Sequence, residues 1–283
     1  MPEDPFVSAE WLHEHLGDTR VKVLDGSWFL PGDPRDPRSA FQEAHIPGAQ
    51  FFDIDEIADQ ASDMTHMAPT PEQFALQVGA LGIGGEDTVV VYDQAGLFSS
   101  PRVWWTFRLF GHGKVFVLDG GLPAWKAEER PLEHGPPPPP PPGDFAVLTV
   151  HPELVRDLPQ VWRALEDGSE QIVDVRPAER FRGETPEPRP GLRAGHMPGA
   201  ISLPLPELMV GPGGLRPADQ LAAAFERAGV DLDGPIVTTC GSGIAAAVTA
   251  LALARLNHWN AAVYDGSWTE WGAHAETPVV TGP

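Results

Sequence analysis

The chain has 283 residues, 42% of them hydrophobic, so it is long enough to bury the cores of two domains. Its 19 lysines and arginines stand against 40 aspartates and glutamates, which gives a formal net charge of −21. This charge repels nucleic acids and anionic lipid surfaces, so an anionic substrate would need a local cluster of arginines. With 1 cysteine, the chain forms neither an internal disulfide nor a four-cysteine metal site, and that thiol is either inert or reactive.

The acidic N-terminal residues 1–5 lack the basic and apolar regions of a secretory signal and the arginines of a transit peptide. No apolar run reaches the length of about 18 residues that would span a membrane. We therefore expect a cytoplasmic protein.

Short β-branched runs alternate with helix-like segments along the chain. Strands are predicted over residues 21–25, 49–54, 88–93, 115–118, 171–175, 200–203, 235–240 and 261–264. Helices are predicted over 9–16, 70–81, 217–227 and 243–256, and the second of these opens with a capping box from Thr70 to Gln73. This alternation predicts an α/β fold in which a mainly parallel sheet is flanked by helices on both faces.

The two halves of the sequence repeat each other. Four landmarks recur in the same order about 150 residues apart. They are the pairs Asp25 and Asp174, His45 and His196, Asp93 and Cys240, and Asp119 and Asp265, each inside a similar short motif.

A run of seven prolines, residues 136–142, lies between the halves and is flanked by Gly135 and Gly143. Such a run favours an extended polyproline II conformation about 20 Å long. A peptide-recognition ligand is the alternative, but the position between two repeats favours a linker. We therefore predict a first domain over 1–134, a linker over 135–143 and a second domain over 144–283.

Cys240 lies in the loop Cys240-Gly241-Ser242-Gly243, between a predicted strand and a predicted helix. The first amides of a helix have no intrahelical partners, so this loop can bind an anion and stabilise a thiolate. Gly241 and Gly243 allow the tight turn that exposes these amides. A buried structural cysteine is one alternative. A phosphatase loop is the other, but it would need an arginine six positions after the cysteine, where this chain has Ala246.

These motifs resemble the two-domain rhodanese-type sulfurtransferases, and the mercaptopyruvate-type members are the most similar. The resemblance rests on the motifs His-Ile-Pro-Gly-Ala and His-Met-Pro-Gly-Ala, on the Asp-Gly-Gly and Asp-Gly-Ser motifs, and on a cysteine loop in the second half only. It covers nearly the whole chain outside the prolines, and it implies two tandem rhodanese-like domains. The Gly241-Ser242 pair matches the mercaptopyruvate pattern, whereas thiosulfate sulfurtransferases place basic residues directly after the cysteine.

The resemblance also implies site residues. The second domain would carry the nucleophile Cys240, and the first would be a catalytically degenerate copy with Asp93 in its place. Arg180 and Arg189 would bind the substrate carboxylate, for which the planar guanidinium is well suited. The loop residues that would contact the substrate are Gly241, Gly243, Ile244 and Ala245.

A proposed triad of Ser242, His45 and an aspartate would move the substrate's thiol proton. Asp36 is the expected carboxylate, with Asp33 as a competitor. Because the same histidine recurs as His196, a structural role for His45 is an open alternative. The family usually carries Val-Thr-Ala after the loop, and Ile244-Ala245-Ala246 replaces it here without the hydroxyl.

The implied reaction moves sulfur from 3-mercaptopyruvate to a thiol or cyanide acceptor through a persulfide on Cys240, releasing pyruvate. Thioredoxin or another small thiol is the expected acceptor, and no metal or organic cofactor is implied. Two alternatives stay open: a thiosulfate:cyanide sulfurtransferase, and a non-enzymatic module that carries persulfide between partners.

Overall fold

The computed structural model describes residues 4–211 and 213–283, which form two compact units. The first unit comprises the chain up to Ala61, Ala68–His151 and Gly211–Gly214. The second comprises Ser62–Met67, Pro152–Val210 and Leu215–Pro283. The short segment Ser62–Met67 therefore folds with the second unit, although it lies in the first half of the sequence.

The first unit is built on a five-stranded sheet with the order β1-β5-β4-β2-β3, in which every pair of neighbours is parallel. The strands are β1 (Phe6–Val7), β2 (Val21–Asp25), β3 (Gln50–Phe51), β4 (Thr88–Tyr92) and β5 (Val115–Leu118). The helices are α1 (Ala9–His15), α2 (Pro37–Glu43), α3 (Pro71–Ala80), α4 (Ser100–Leu109) and α5 (Gly121–Ala127).

The second unit repeats this sheet with the order β6-β12-β11-β7-β8, again entirely parallel. Its strands are β6 (Val155–Arg156), β7 (Gln171–Asp174), β8 (Ile201–Ser202), β11 (Ile236–Thr239) and β12 (Ala262–Tyr264), and β9 (Met209–Val210) and β10 (Gly214–Leu215) form a separate pair. The helices are α6 (Leu158–Asp167), α7 (Ala178–Phe181), α8 (Ala218–Ala228), α9 (Ile244–Arg255) and α10 (Ser267–Trp271), with 3₁₀ turns at Pro152–Leu154 and Leu205–Leu208.

Both sheets have the same strand order, so the predicted α/β class and the repeat are confirmed. The capping box before α3 is also present, because Thr70 Oγ1 accepts from the Gln73 amide and Gln73 Oε1 accepts from the Thr70 amide. The edge strands β1 and β6 escaped prediction, because two residues are too few to show a period of two.

Each unit has its own apolar core with a tryptophan at an equivalent position. Trp125 is fully buried in the first core, and its indole N–H donates to the carbonyl oxygen of Pro131 over 2.8 Å. Trp271 is fully buried in the second core and donates to Pro278 over 2.9 Å. The repeat therefore extends from the strand order to single hydrogen bonds.

The polyproline run lies against the first unit. The Gly143 amide donates to the carbonyl oxygen of Gly79, near the end of α3, over 2.8 Å. Phe145 packs edge-on against Phe74 and Phe107. Residues 144–151 thus contact the first unit, and the predicted linker and its boundaries stay a prediction. In the part of the chain that the structure describes, no helix is both long and apolar enough to cross a bilayer.

Candidate active site

Cys240 follows β11, the central strand of the second sheet, and stands four residues before α9. In parallel α/β sheets, ligands bind beyond the carboxyl ends of the strands, which is where this loop lies. Gly243 caps α9 with a left-handed φ of 81°, a conformation that favours glycine. Cys240 is 4% exposed and Ser242 is 7% exposed.

The first turn of α10 holds the cysteine loop from behind. Ser267 Oγ accepts a hydrogen bond from the Cys240 amide over 3.3 Å, and the Trp268 amide donates to the Cys240 carbonyl oxygen over 3.0 Å. The Gly241 carbonyl oxygen accepts from both the amide and the hydroxyl of Thr269. The carbonyl groups of Cys240 and Gly241 are therefore occupied by α10.

The other three amides of the same loop differ from that of Cys240. Among the described residues, none accepts a hydrogen bond from the backbone N–H groups of Gly241, Ser242 or Gly243. These donors stand at the positive end of the α9 dipole, where negative charge is stabilised. The arrangement can hold a thiolate, a persulfide or the anion of a substrate.

Ser267 is a site residue that the sequence analysis missed. It is fully buried with a positive φ of 49°, and its hydroxyl donates to the Tyr264 carbonyl oxygen while it accepts from Cys240. The equivalent residue of the first unit is Gly121, with a φ of 54°, and a Cβ there would lie 2.5 Å from Gly96 O. The replacement of Asp-Gly-Gly by Asp-Gly-Ser in the second repeat was the signal.

In the first unit, Asp93 occupies the position of Cys240, and its own loop binds its carboxylate. Asp93 Oδ2 accepts from the amides of Phe98, Ser99 and Ser100 over 2.8 to 3.0 Å and from the Ser100 hydroxyl over 2.7 Å. Asp93 Oδ1 accepts from the Ala95 amide. The first loop is thus an anion site filled by an internal carboxylate, which is why it offers no nucleophile.

We expect Asp93→Ala to lower the free energy of unfolding by about 3 kcal/mol, because it leaves several buried donors without an acceptor. Urea unfolding followed by tryptophan fluorescence measures the change. Asp18→Ala is the matched control, since the Asp18 carboxylate is exposed and accepts from one amide, that of Arg20. Equal stability of the two variants would show that the Asp93 carboxylate does not hold the first loop.

Five arginines lie between residues 176 and 193, and three of them bind carboxylates or carbonyl groups of the chain. Arg176 binds both oxygens of Asp174, the Glu187 carboxylate and the Gly195 carbonyl oxygen. Arg182 pairs with Glu184 at the surface. Arg193 donates to the carbonyl oxygens of Trp271, Gly272 and Thr277. These three arginines therefore fix the loop rather than serve a ligand.

Arg180 and Arg189 are the two that remain. In the described part of the chain, Arg180 makes no side-chain hydrogen bond or ion pair. Arg189 Nη2 donates to Ser242 Oγ over 3.2 Å, and its Nη1 lies 3.9 Å from where a Cβ on Gly241 would stand. The structure thus brings Arg189 to the cysteine loop and leaves both guanidinium groups able to bind an anion.

Two ionisable side chains of this loop, Arg176 and Glu187, have pKa values shifted by burial and by neighbouring charges. Burial works against the charged form of Arg176, but the adjacent carboxylates of Asp174 and Glu187 outweigh it and raise the pKa of this guanidinium above its usual range. Burial raises the pKa of the Glu187 carboxyl, and the charges of Arg176 and Arg180 oppose this rise. Arg176 therefore stays cationic next to a partly desolvated acid.

His45 makes the contacts of a structural residue. Its Nδ1 is bonded to the Phe41 carbonyl oxygen over 2.9 Å, its ring stacks on Phe41, and its backbone pairs with Glu133. In the second unit His196 is bonded to and stacked on Phe181 and pairs with Val280 in the same way.

The spacing of this shared motif differs between the units. The histidine follows its phenylalanine by 4 residues in the first unit and by 15 in the second. The additional residues carry Glu187 and Arg189, so the arginine loop of the second unit lies where this motif is longer than in the first unit.

Asp36 and Asp33 have local partners. Asp36 is exposed and caps α2, where its Oδ1 accepts from the Ser39 amide over 2.7 Å. This hydrogen bond lowers the pKa of the Asp36 carboxyl. Asp33 binds Arg35, and that side chain lowers the pKa of Asp33 to about 2. The catalytic roles predicted for His45 and Asp36 stay predictions.

His66 is a further histidine that the sequence analysis did not single out. It is 5% exposed, has a positive φ of 67° and lies in Ser62–Met67, the segment that folds with the second unit. His66 therefore belongs to the unit of Cys240, whereas His45 belongs to the other.

At the start of α9, Ile244 is buried and Ala245 is half-buried, and neither carries a hydroxyl.

Comparisons with known proteins agree with this architecture. A protein-family model described as a rhodanese-like domain matches the sequence twice, over residues 8–128 and 157–274. The 3-mercaptopyruvate sulfurtransferase of Escherichia coli (strain K12) is 45% identical over 275 residues, which cover 97% of this chain and 97% of the relative. The Homo sapiens protein of that name is 42% identical over 94% of this chain and 91% of the relative. Thiosulfate/3-mercaptopyruvate sulfurtransferase 2 of Arabidopsis thaliana is 43% identical over 98% and 86%.

Two solved structures are similar over nearly their whole length. The crystal structure of SseA from Escherichia coli, titled as a 3-mercaptopyruvate sulfotransferase, has a TM-score of 0.85 and 42% identity, and the match covers 94% of this chain and 99% of that one. Tum1 from Saccharomyces cerevisiae has a TM-score of 0.91 and 29% identity, with 99% of both chains covered.

Proposed function

This chain belongs to the rhodanese-like family, and from its site we propose that it transfers sulfur from 3-mercaptopyruvate to a thiol through a persulfide on Cys240. One observation carries the proposal most directly. Cys240 stands at the N-terminus of α9 beside three loop amides that have no acceptor among the described residues, and Arg189 reaches the same loop. The names of the relatives support the donor.

The first half-reaction forms the persulfide. The Cys240 thiolate attacks the sulfur of 3-mercaptopyruvate, the bond between that sulfur and C3 breaks, and its electron pair leaves with pyruvate as the enolate. The proton of the substrate's thiol ends on C3 of pyruvate. Loop amides and the α9 dipole stabilise the negative charge on the persulfide.

In the second half-reaction an acceptor thiolate attacks the outer sulfur and regenerates the Cys240 thiolate. We propose thioredoxin or another small thiol as the acceptor, since any accessible thiolate can accept this sulfur. The cytoplasmic location stays a prediction, and one Arabidopsis thaliana relative is named as mitochondrial.

Arg180 and Arg189 are the proposed carboxylate ligands. The other three arginines of this loop bind internal carboxylates or several carbonyl groups. Among the described residues, Arg180 and Arg189 bind neither. A guanidinium can bind both oxygens of a carboxylate, which orients the 2-oxo acid and fixes the position of its sulfur.

Comparing 3-mercaptopyruvate with thiosulfate, side by side and with the same thiol acceptor, tests the proposed donor. We expect a higher kcat/KM with 3-mercaptopyruvate, because thiosulfate has no carboxylate for the paired arginines and Ser242 offers no cation next to Cys240. A preference for thiosulfate would establish the alternative donor. Persulfidation without turnover of either donor would establish a carrier.

We propose that a histidine transfers the proton, and two are candidates: His45, which the sequence predicts together with Asp36, and His66, which is buried in the unit that carries Cys240. Replacing the histidine that transfers the proton with alanine should lower kcat by about 100-fold, the usual range for losing a general acid-base group. His45→Ala and His196→Ala should lower the melting temperature by similar amounts, because each removes the equivalent hydrogen bond to a phenylalanine carbonyl oxygen in its own unit. A stable His45→Ala variant with lost activity, together with an active His66→Ala variant, would assign the proton transfer to His45.

A further inference from the structure

The seven prolines of residues 136–142 are fixed to the first unit at both ends. Before the run, the Gly135 amide donates to the Gln42 carbonyl oxygen over 2.7 Å. After it, the Gly143 amide donates to the Gly79 carbonyl oxygen over 2.8 Å, and a Cβ on Gly143 would lie 2.0 Å from Ile83 O. The run is therefore held in place on this unit.

The conformation of the run follows from its composition. A residue before a proline is excluded from the helical region, and this applies to every proline from Pro136 to Pro141. All peptide bonds of the described chain are trans, and the run has no assigned helix or strand. The composition therefore favours a polyproline II helix with three residues per turn, and we infer this conformation for the run.

Exposure along the run follows the same period of three. Pro137 and Pro140 are half-buried, and the half-buried Gly143 continues this edge, whereas the other five prolines are exposed. Pro140 packs closely on Gly82, where a Cβ would stand 2.7 Å from Pro140 Cβ. One edge of the helix thus lies on the first unit, and the other two edges point outward.

We propose that these two outward edges, which we call the proline ridge (Pro136, Pro138, Pro139, Pro141 and Pro142), are a docking surface for a partner domain with an aromatic-lined groove. Aromatic grooves bind polyproline II helices because proline rings pack flat on aromatic rings. The ridge is preformed, so binding costs little conformational entropy.

The charges around the ridge narrow the class of partner. Residues 131–147 contain no lysine or arginine, and Glu133 and Asp144 flank the run. Some proline-binding grooves have an acidic pocket for a lysine or arginine that follows or precedes the prolines of the ligand. The run of this chain offers no such residue to that pocket. The net charge of −21 also favours a groove with a neutral or basic rim.

Titration of the full-length protein into labelled profilin, whose aromatic groove binds uncharged polyproline, tests the proposal by fluorescence anisotropy. An SH3 domain with an acidic specificity pocket is the parallel probe. We expect binding to profilin and at least about tenfold weaker binding to the SH3 domain, because the basic residue is absent. Absence of profilin binding to the full chain, while a synthetic peptide of residues 134–144 binds, would show that the ridge is not accessible and overturn the proposal.

Two double variants test which edges bind. Pro138→Ser with Pro141→Ser changes an outward edge and should weaken profilin binding about tenfold or more, because groove contacts are lost. Pro137→Ser with Pro140→Ser changes the buried edge and should weaken it less than about threefold. Both should retain sulfur transfer. Equal losses for the two variants would contradict the docking surface, because binding would then not depend on the exposed edges.

Discussion

Cys240→Ser is expected to abolish pyruvate release from 3-mercaptopyruvate, with kcat/KM lowered by about three orders of magnitude or more. A hydroxyl is a far weaker nucleophile than a thiolate at neutral pH, and it cannot hold sulfane sulfur. Since Cys240 is the only cysteine, no other thiol of the chain can replace it. Pyruvate formation coupled to lactate dehydrogenase, with excess thiol acceptor, measures the loss.

The control for this variant is its folded state and its substrate binding. The melting temperature should stay close to that of the wild type, because serine has nearly the same shape. Calorimetry should still detect 3-mercaptopyruvate binding, since Arg180 and Arg189 are unchanged. Undiminished turnover in Cys240→Ser would rule out the persulfide on Cys240.

Arg189→Ala and Arg180→Ala should each lower kcat/KM for 3-mercaptopyruvate by about 10- to 100-fold, which corresponds to about 1.4 to 2.7 kcal/mol of transition-state binding. The loss should appear mainly as a higher KM, because the carboxylate contact is present in both ground and transition states. Arg189→Lys should recover only part of the loss, since an ammonium group cannot reproduce the planar fork.

Arg182→Ala is the matched control for these variants. Arg182 lies in the same loop, but its guanidinium pairs with Glu184 at the surface, where an ion pair contributes little. We expect its kcat/KM to stay within about twofold of the wild type. Equal losses for Arg182→Ala and Arg189→Ala would indicate a general field of the cationic loop instead of two specific ligands.

Much of the fold could be predicted from the sequence because the chain contains it twice. The central strands are apolar runs with clear ends, and the helix after Thr70 carries its own cap. By contrast, α4 was not predicted, because all ten of its residues are buried and it therefore lacks a polar face. Its two arginines, Arg102 and Arg108, are buried over the rings of Trp105 and Trp104. They therefore do not mark a solvent-exposed face of the helix.

The site was predictable to the extent that it is local. Cys240 and its glycines follow one another in the chain, and the chemistry of a helix N-terminus needs no distant partner. Ser267 and His66 were missed because their positions depend on tertiary packing. Ser267 reaches Cys240 across 27 residues of sequence, and His66 folds with a unit that otherwise begins at Pro152. No local pattern encodes the placement of His66, and the signal for Ser267 was the change from Asp-Gly-Gly to Asp-Gly-Ser between the repeats.

A single turnover without an acceptor thiol tests the persulfide most directly. Mixing the protein with one equivalent of 3-mercaptopyruvate, so that little donor thiol is left to act as an acceptor, then quenching and measuring both pyruvate and intact mass gives the stoichiometry and the product together. We expect one pyruvate per Cys240 and a mass increase of one sulfur atom, which disappears when a thiol is added and never forms in Cys240→Ser. Pyruvate release without the added sulfur atom, or a sulfur atom retained in Cys240→Ser, would contradict the account.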